Sequence, residues 1–270
     1  MCGIVGAAAR KDIVPVLIAG LKALEYRGYD SAGLAVIDGA SLTRLRTPGK
    51  VRELEALQQT AAVKASTGIA HTRWATHGVP NERNAHPHIS RERVSVVHNG
   101  IIENHAELRS ELRAAGFHFE SDTDTEVIAH LIEHLQAQGL DLYAAVQQAV
   151  TRLHGAYAIA VVSTREPTRV VGARRGSPMV VGLAEGANFL ASDIYALLGE
   201  TQRFIYLEDG DVVDLHPDRV AICDAAGQPV QRTIKQASLR ADAVERGEYR
   251  HYMLKEIHEQ PQAVADTLEG

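Results

Sequence analysis

Strand-like and helix-like segments are spread unevenly along this chain, and that distribution narrows the folds open to it. The opening CGIVGAAA is short, unbroken and apolar, the pattern of a strand covered on both faces. Val16, Leu17, Leu21 and Leu24 recur at helical spacing, so a helix is expected from Val14 to Tyr26. A turn-rich loop (Tyr26 to Gly33), a strand at Leu34–Ile37, a helix at Val51–Val63 and a strand opening at Gly68–His71 follow. A long loop rich in His, Pro, Asn and Gly then runs from Thr72 to about Ser90, and loops of that length in a compact domain are usually functional. Val94–Val97 reads as a strand leading into His98-Asn99-Gly100. The middle of the chain is helical, at about Asn104–Gly116, Thr125–Gln138 and Leu142–Leu153. Beyond Ala156 come closely spaced strands: Tyr157–Val162, Val170–Ala173, Met179–Leu183, Phe189–Ala191, Phe204–Leu207 and Val212–Leu215. Strands at both ends and helices between them depart from strict βαβ alternation. They argue for α+β layering with substantial antiparallel sheet.

A chain of 270 residues has room for one large domain or two small ones. Its formal charge of −6 gives no basic footprint, which argues against a nucleic-acid partner. Cys2 and Cys223 are the two cysteines, too few for a disulfide framework and consistent with a reducing cytoplasm. No apolar run approaches the ~20 residues of a membrane helix. CGIVGAAA has no basic residue ahead of it and meets Arg10-Lys11-Asp12 at once, unlike a signal peptide. A soluble, cytoplasmic protein without a membrane partner is expected. Gln228 to about Gly247 reads as a connector, and Tyr249 to Gly270 as an amphipathic helix cut off in mid-course. The division expected is therefore a main domain over 1–240 and a connector with the start of a further domain over 241–270.

Cysteine directly after the initiator Met is chemically pointed. Small second residues permit Met removal, which would leave Cys2 with a free α-amine beside its thiol. A thiol of pKa ~8.5 is only a few per cent ionised at pH 7. An α-amine of pKa ~7.7–8.0 is partly neutral and can take the thiol proton, so nucleophile and base would share one residue. Against this stands a small apolar residue that simply begins a strand.

Other motifs also admit two readings. Asn99-Gly100 after a strand is by default a tight hairpin turn. It is also a pair whose amide and backbone N–H could hold a developing oxyanion, with Gly allowing close approach. Thr123-Asp124-Thr125-Glu126 fits a capping box, Thr123 capping a helix and Glu126 closing it. His130-Leu-Ile-Glu-His134 fits the inverted zinc-protease pattern, which would make His130, Glu133 and His134 a zinc hydrolase site. With 13 histidines in the chain, that match can arise by chance.

The motifs MCGIVG, LEYRGYDSAG (Leu24 to Gly33), GIAHTRWATHG (Gly68 to Gly78), NAHPH (Asn84 to His88), VVHNGIIEN (Val96 to Asn104) and TDTEV (Thr123 to Val127) occur in that order. Together they resemble the class II glutamine amidotransferases of the N-terminal-nucleophile type. Within that class the wording EYRGYDSAG and HTRWATHG is similar to the glutamine–fructose-6-phosphate aminotransferase family, over essentially the whole chain. The resemblance implies the four-layer αββα sandwich of N-terminal-nucleophile hydrolases and hydrolysis of L-glutamine through a Cys2 thioester. It implies no metal or organic cofactor. It makes Asn99 and Gly100 the oxyanion hole, Asp124 the partner of the substrate α-ammonium and Arg73 that of the α-carboxylate. Thr76 and His77 would add hydrogen bonds, and Trp74 would belong to a lid over glutamine. Arg27 and Asn104 would lie near the nucleophile, and His86 would shape the glutamine loop. Fructose-6-phosphate would be met only by a further domain, in an enzyme that is a homodimer at full length. The family does not use the His130–His134 segment for catalysis. A glutamine-sensing module without chemistry is the third class, and a glutaminase assay separates it.

Overall fold

The computed structural model describes residues 2–74, 78–237, 249 and 252–269. The chain begins with β1 (Gly3–Ala9), α1 (Val14–Leu24), β2 (Ser31–Asp38), β3 (Ser41–Pro48), α2 (Val51–Ala61) and β4 (Thr67–Arg73). It continues through β5 (His88–Ser90), β6 (Val94–Ile102), α3 (His105–Ala114), α4 (Glu126–Ala137) and α5 (Leu142–Val150). Then come β7 (Gly155–Ser163), β8 (Val170–Arg175), β9 (Val180–Ala184), β10 (Ala187–Ala191), β11 (Arg203–Tyr206), β12 (Val212–Leu215) and β13 (Val220–Cys223). Two short strands, β14 (Pro229–Val230) and β15 (Ile234–Gln236), precede α6 (Tyr252–Glu269). By internal packing the chain divides into 1–237 and 238–270, and α6 is the described element of the second unit.

Among the described residues the strands form two antiparallel sheets. One runs in the order β15-β11-β9-β10-β1-β4-β2-β3, the other β14-β13-β12-β8-β7-β6-β5. Helices α1 and α2 pack on the outer side of the first sheet, and α3, α4 and α5 on the second. The result is the four-layer αββα arrangement that the family resemblance implied. Ile4, Ala8, Ile69, Val97, Ala160, Leu190 and Val213 fill the space between the sheets. A second core, with Val127, Leu131, Leu135, Val146, Ile159 and Val161, lies under the helices. Strand β1 explains its own sequence: Ile4 and Ala8 face the other sheet, while Val5 lies against Gly20 of α1. Covered on both sides, it carries no polar alternation.

The structure corrects several expectations. Asn99-Gly100 is not a hairpin turn: both residues lie inside β6, which runs to Ile102, and they pair with Ala158 and Tyr157 of β7. The capping box is not formed either. Thr125 occupies the N-cap of α4. The Glu126 carboxylate turns back to the N–H groups of Glu120 and Ser121, at 2.8 and 2.7 Å. The expected connector is partly sheet, since β14 and β15 lie within it and β15 pairs with β11. Its remainder, residues 238–248, lies outside the described residues.

Gly100 has φ +132°, and a Cβ there would sit 2.0 Å from the Ala156 carbonyl oxygen. Gly139 also has positive φ, +99°, but nothing lies within 4 Å of its Cβ position. Gly100→Ala is therefore expected to lower unfolding free energy by more than ~3 kcal/mol, because backbone strain adds to a clash in a paired strand. Gly139→Ala is expected to cost only ~1–2 kcal/mol from strain alone. Urea denaturation of the two variants side by side checks the difference.

Candidate active site

Cys2 directly precedes β1, whose two sheet neighbours come from distant parts of the chain. Strand β4 lies on one side of β1 and β10 on the other. The Cys2 Sγ accepts the Trp74 N–H at 3.2 Å, and Asn99 Nδ2 donates to the Cys2 carbonyl oxygen at 3.1 Å. Strands β1 and β4 belong to one sheet and β6 to the other, so the site straddles the two layers. A cavity of about 300 Å³ opens there, lined by Cys2, Arg73, Trp74, Asn99, Gly100 and Asp124 among others. That is the small end of the range for ligand pockets and suits a single amino acid.

Electrostatics divides the cavity. Burial pushes the Cys2 thiol up, while the Trp74 N–H and the Arg73 charge pull it back, and the thiol stays above its ordinary value. Burial lowers the Arg73 guanidinium, opposed by Asp30, Cys2 and Asp124. Its Nη2 donates to the Gly78 carbonyl at 3.3 Å. The Asp124 Oδ2 accepts the Ile102 N–H at 2.8 Å, which fixes the carboxylate in the wall. Asp122, by contrast, is half exposed and bonded to Arg83 and Asn84.

Behind the cavity sits a buried cluster of His71, His86, His88 and His98. His71 and His86 stack with centroids 4.1 Å apart, and His86 meets His88 edge-on at 4.8 Å. The His98 N–H donates to His86 Nδ1 at 3.3 Å, so that nitrogen carries no proton. His86 Nε2 lies 3.4 Å from Thr125 Oγ1, which lies 3.0 Å from His98 Nδ1. Burial drives His71 down to about 3 and holds His86 and His88 well below the usual imidazole value. His71, His86 and His88 are neutral at physiological pH.

The structure brings Cys2, Arg73, Trp74, Asn99, Gly100, Asp124, Arg27 and His86 to one cavity. Arg27 stands in the wall, ion-paired with Asp193. Trp74 is half exposed at the rim, edge-on to Tyr29 at 5.7 Å. Thr76 and His77 lie outside the described residues. Asn104 does not line the cavity. Its amide ties the start of α3 to the turn between α5 and β7, donating to the Arg152 carbonyl at 2.9 Å and accepting from the His154 N–H at 3.0 Å. Thr125, His98 and Ser177 line the cavity without having been singled out from sequence. The imidazole-rich HPH and VVHN strings were the available signal for His98; nothing local marks Ser177.

The His130–His134 segment does not assemble a metal site. His130 Nδ1 bonds Ser90 Oγ at 2.8 Å and Glu133 pairs with Arg165 at 3.1 Å. His134 bonds Gln138 at 2.9 Å. Among the described residues, no group of three or more His, Cys, Asp or Glu is placed to hold a metal ion. Nor, among them, is any helix long and apolar enough to cross a membrane.

Comparison with known proteins places this geometry. Residues 71–199 match the family described as glutamine amidotransferase domain. The whole chain is 59% identical to the glutamine–fructose-6-phosphate aminotransferase (isomerizing) of Bordetella pertussis and covers 45% of that protein. It is 54% identical to that of Shewanella oneidensis, again over its full length, and covers 44% of it. The chain thus spans less than half the length of these relatives. Among solved structures, the glutamine phosphoribosylpyrophosphate amidotransferase of B. subtilis aligns with a TM-score of 0.71 at 25% identity. That alignment covers 83% of this chain and 49% of the other. The similarity to these aminotransferases runs through the residues around Cys2, β4 and β6, and the chain belongs to the class II glutamine amidotransferases, similar over its whole length to part of the glutamine–fructose-6-phosphate aminotransferases.

Proposed function

We propose that this domain hydrolyses L-glutamine to glutamate and ammonia, with Cys2 as nucleophile. The observation that carries the reading is the meeting of Cys2 with Asn99 and Gly100 in a cavity that also holds Arg73 and Asp124. Removal of Met1 frees the Cys2 α-amine, which takes the thiol proton; the buried thiol needs such a base, because burial disfavours the thiolate. Sγ attacks the Cδ carbonyl of glutamine, and Asn99 and Gly100 stabilise the tetrahedral oxyanion. The protonated amine gives its proton to the departing ammonia, and water then cleaves the γ-glutamyl thioester. Arg73 holds the substrate α-carboxylate and Asp124 the α-ammonium, each as a charge-assisted pair. Thr76 and His77 add hydrogen bonds to the substrate, and Trp74 belongs to a lid over glutamine. No metal or organic cofactor enters this scheme.

The longer relatives are named for fructose-6-phosphate, and we propose that ammonia released at this site is destined for that sugar phosphate, bound by residues outside this domain. We take 1–240 as the amidotransferase domain and 241–270 as the link onward. This chain alone is expected to release free ammonia and to form no amino sugar when fructose-6-phosphate is supplied.

Steady-state glutaminase kinetics test the roles. Arg73→Ala and Asp124→Ala are expected to raise KM roughly 10- to 150-fold, the ~1.5–3 kcal/mol lost with one charge-assisted partner. Asn99→Ala is expected to lower kcat by ~100- to 1,000-fold with little change in KM. The reverse pattern would reassign the residues. No ammonia from wild-type protein with a free Cys2 amine would overturn the proposal.

A further inference from the structure

We infer that His71 is a positioning residue that locks the Asn99 side-chain amide with its N–H end toward the nucleophile; the inference rests on the oxyanion reading of Asn99. His71 Nε2 lies 3.0 Å from Asn99 Oδ1 and 3.1 Å from the His98 carbonyl oxygen. Both neighbours are acceptors, so Nε2 carries the ring proton and shares it between them. The buried Nδ1 has no hydrogen-bond partner among the described residues. The ring is held in place by β4, by its pairing partners in β1 and β2, and by the stacked His86.

An asparagine amide has two orientations of nearly identical shape. In one, Nδ2 faces the Cys2 carbonyl at 3.1 Å and Oδ1 faces His71. In the other, Oδ1 would oppose the Cys2 carbonyl oxygen and meet a developing oxyanion with negative charge. The flipped form also needs His71 to move its proton to Nδ1, leaving a bare Nε2 against the His98 carbonyl. Each acceptor around the pair therefore selects the productive orientation. Burial keeps His71 neutral, with its pKa down at about 3, so the lock does not open within the physiological pH range. An imidazole that never ionises there is a poor acid or base and a good fixed donor.

The test is a double-mutant cycle in glutamine hydrolysis, using the chain with its Cys2 amine free. His71→Phe keeps a ring and removes the donor, whereas His71→Gln restores an N–H within reach of Asn99. His71→Phe is expected to lower kcat ~10- to 100-fold with KM changed by less than about twofold, and His71→Gln to recover most of the loss. In an Asn99→Ala background, His71→Phe is expected to lower kcat by less than about threefold, because nothing remains to orient. The same factor in both backgrounds would show a general structural role and overturn the inference. So would unchanged kcat in His71→Phe while Asn99→Ala is impaired. Full kcat in Asn99→Ala itself would instead overturn the oxyanion reading. A measurement without any variant stands beside these: ¹⁵N shifts of the His71 ring at pH 7 are expected to show the neutral Nε2–H tautomer. An Nδ1–H tautomer would sink the inference.

Discussion

Cys2→Ala protein is expected to release glutamate and ammonia from glutamine at least ~10⁴-fold more slowly than wild type, the scale on which nucleophile removal acts in other enzymes. Its fold should survive, because the Sγ contributes little: an N–H from Trp74 at 3.2 Å and a long contact to the Trp74 carbonyl at 3.5 Å. The backbone around it is held by the ladders from Gly3 onward, which do not involve the thiol. Cys223→Ala is the matched control. That thiol is buried in β13, away from the cavity, and accepts from Gln147 Nε2 at 2.9 Å. Its loss should leave kcat intact and cost ~1 kcal/mol of stability. A third protein, with the Cys2 nitrogen still acylated by Met1, is expected to be as inactive as Cys2→Ala. An acylated nitrogen accepts no proton, and burial already disfavours the thiolate. Wild-type rates with Met1 in place would eliminate the α-amine as base; intact mass and ammonia release on one sample decide it.

The second large effect is on stability in acid. His71, His86 and His88 have folded-state pKa values below the ~6.5 of an unfolded chain. Between the two values the unfolded chain binds protons that the folded one refuses. The stability these groups contribute is complete above pH ~6.5 and is lost as pH falls. Each removes up to ~1.4 kcal/mol per pH unit, so three acting together remove about 4. A domain with ~5–15 kcal/mol in hand then unfolds within about one to four units of pH 6.5, between about pH 5 and pH 3. The surroundings act in both directions: Arg44, Arg46 and Arg73 disfavour protonation, and Glu126 favours it at His88. Glu126 works the same way below pH ~4.5. Burial alone would raise it, but hydrogen bonds from His130, Glu120 and Ser121 outweigh that and hold it at about 2. Urea unfolding from pH 8 to 4 is expected to steepen below 6.5 with an uptake of about three protons. A flat profile between 6.5 and 5 would contradict a neutral cluster.

Sequence reading reached the parts of the molecule where local pattern and tertiary demand agree. The run in β1 and the stripe Val127, Ile128, Leu131, Ile132 and Leu135 in α4 are of that kind, since each is buried as its spacing implies. Strand β3 was missed because SLTRLRTP lies at a sheet edge and is nowhere fully buried, so no apolar alternation marks it. Asn99-Gly100 shows the opposite failure. Its local preference is a turn, and nine register pairs with β7 override that, leaving the positive φ of Gly100 as a bend within a strand. Of the cavity, the ordered motifs gave Cys2, Arg73, Asn99, Gly100 and Asp124. They gave nothing for Ser177, which follows β8 and reaches the site through the pairing of β8 with β7. His71 was legible only as a strand residue. Its relation to Asn99 crosses from one sheet to the other and has no signature in linear order.

The place of β1 has a consequence for how the protein is made. Its two sheet neighbours are β4, beginning at Thr67, and β10, beginning at Ala187. Strand β1 therefore leaves the ribosome before both of its sheet neighbours and is closed in on both sides only after β10 has been made. At ~5–20 residues per second, the stretch from Ala9 to Ala187 takes on the order of 10–40 s to synthesise. Throughout that interval β10 does not exist, and β1 is without its neighbour on that side. The order of strands gives removal of Met1 a window before the sandwich seals, so the free Cys2 amine of the proposed mechanism can be generated without reopening the fold.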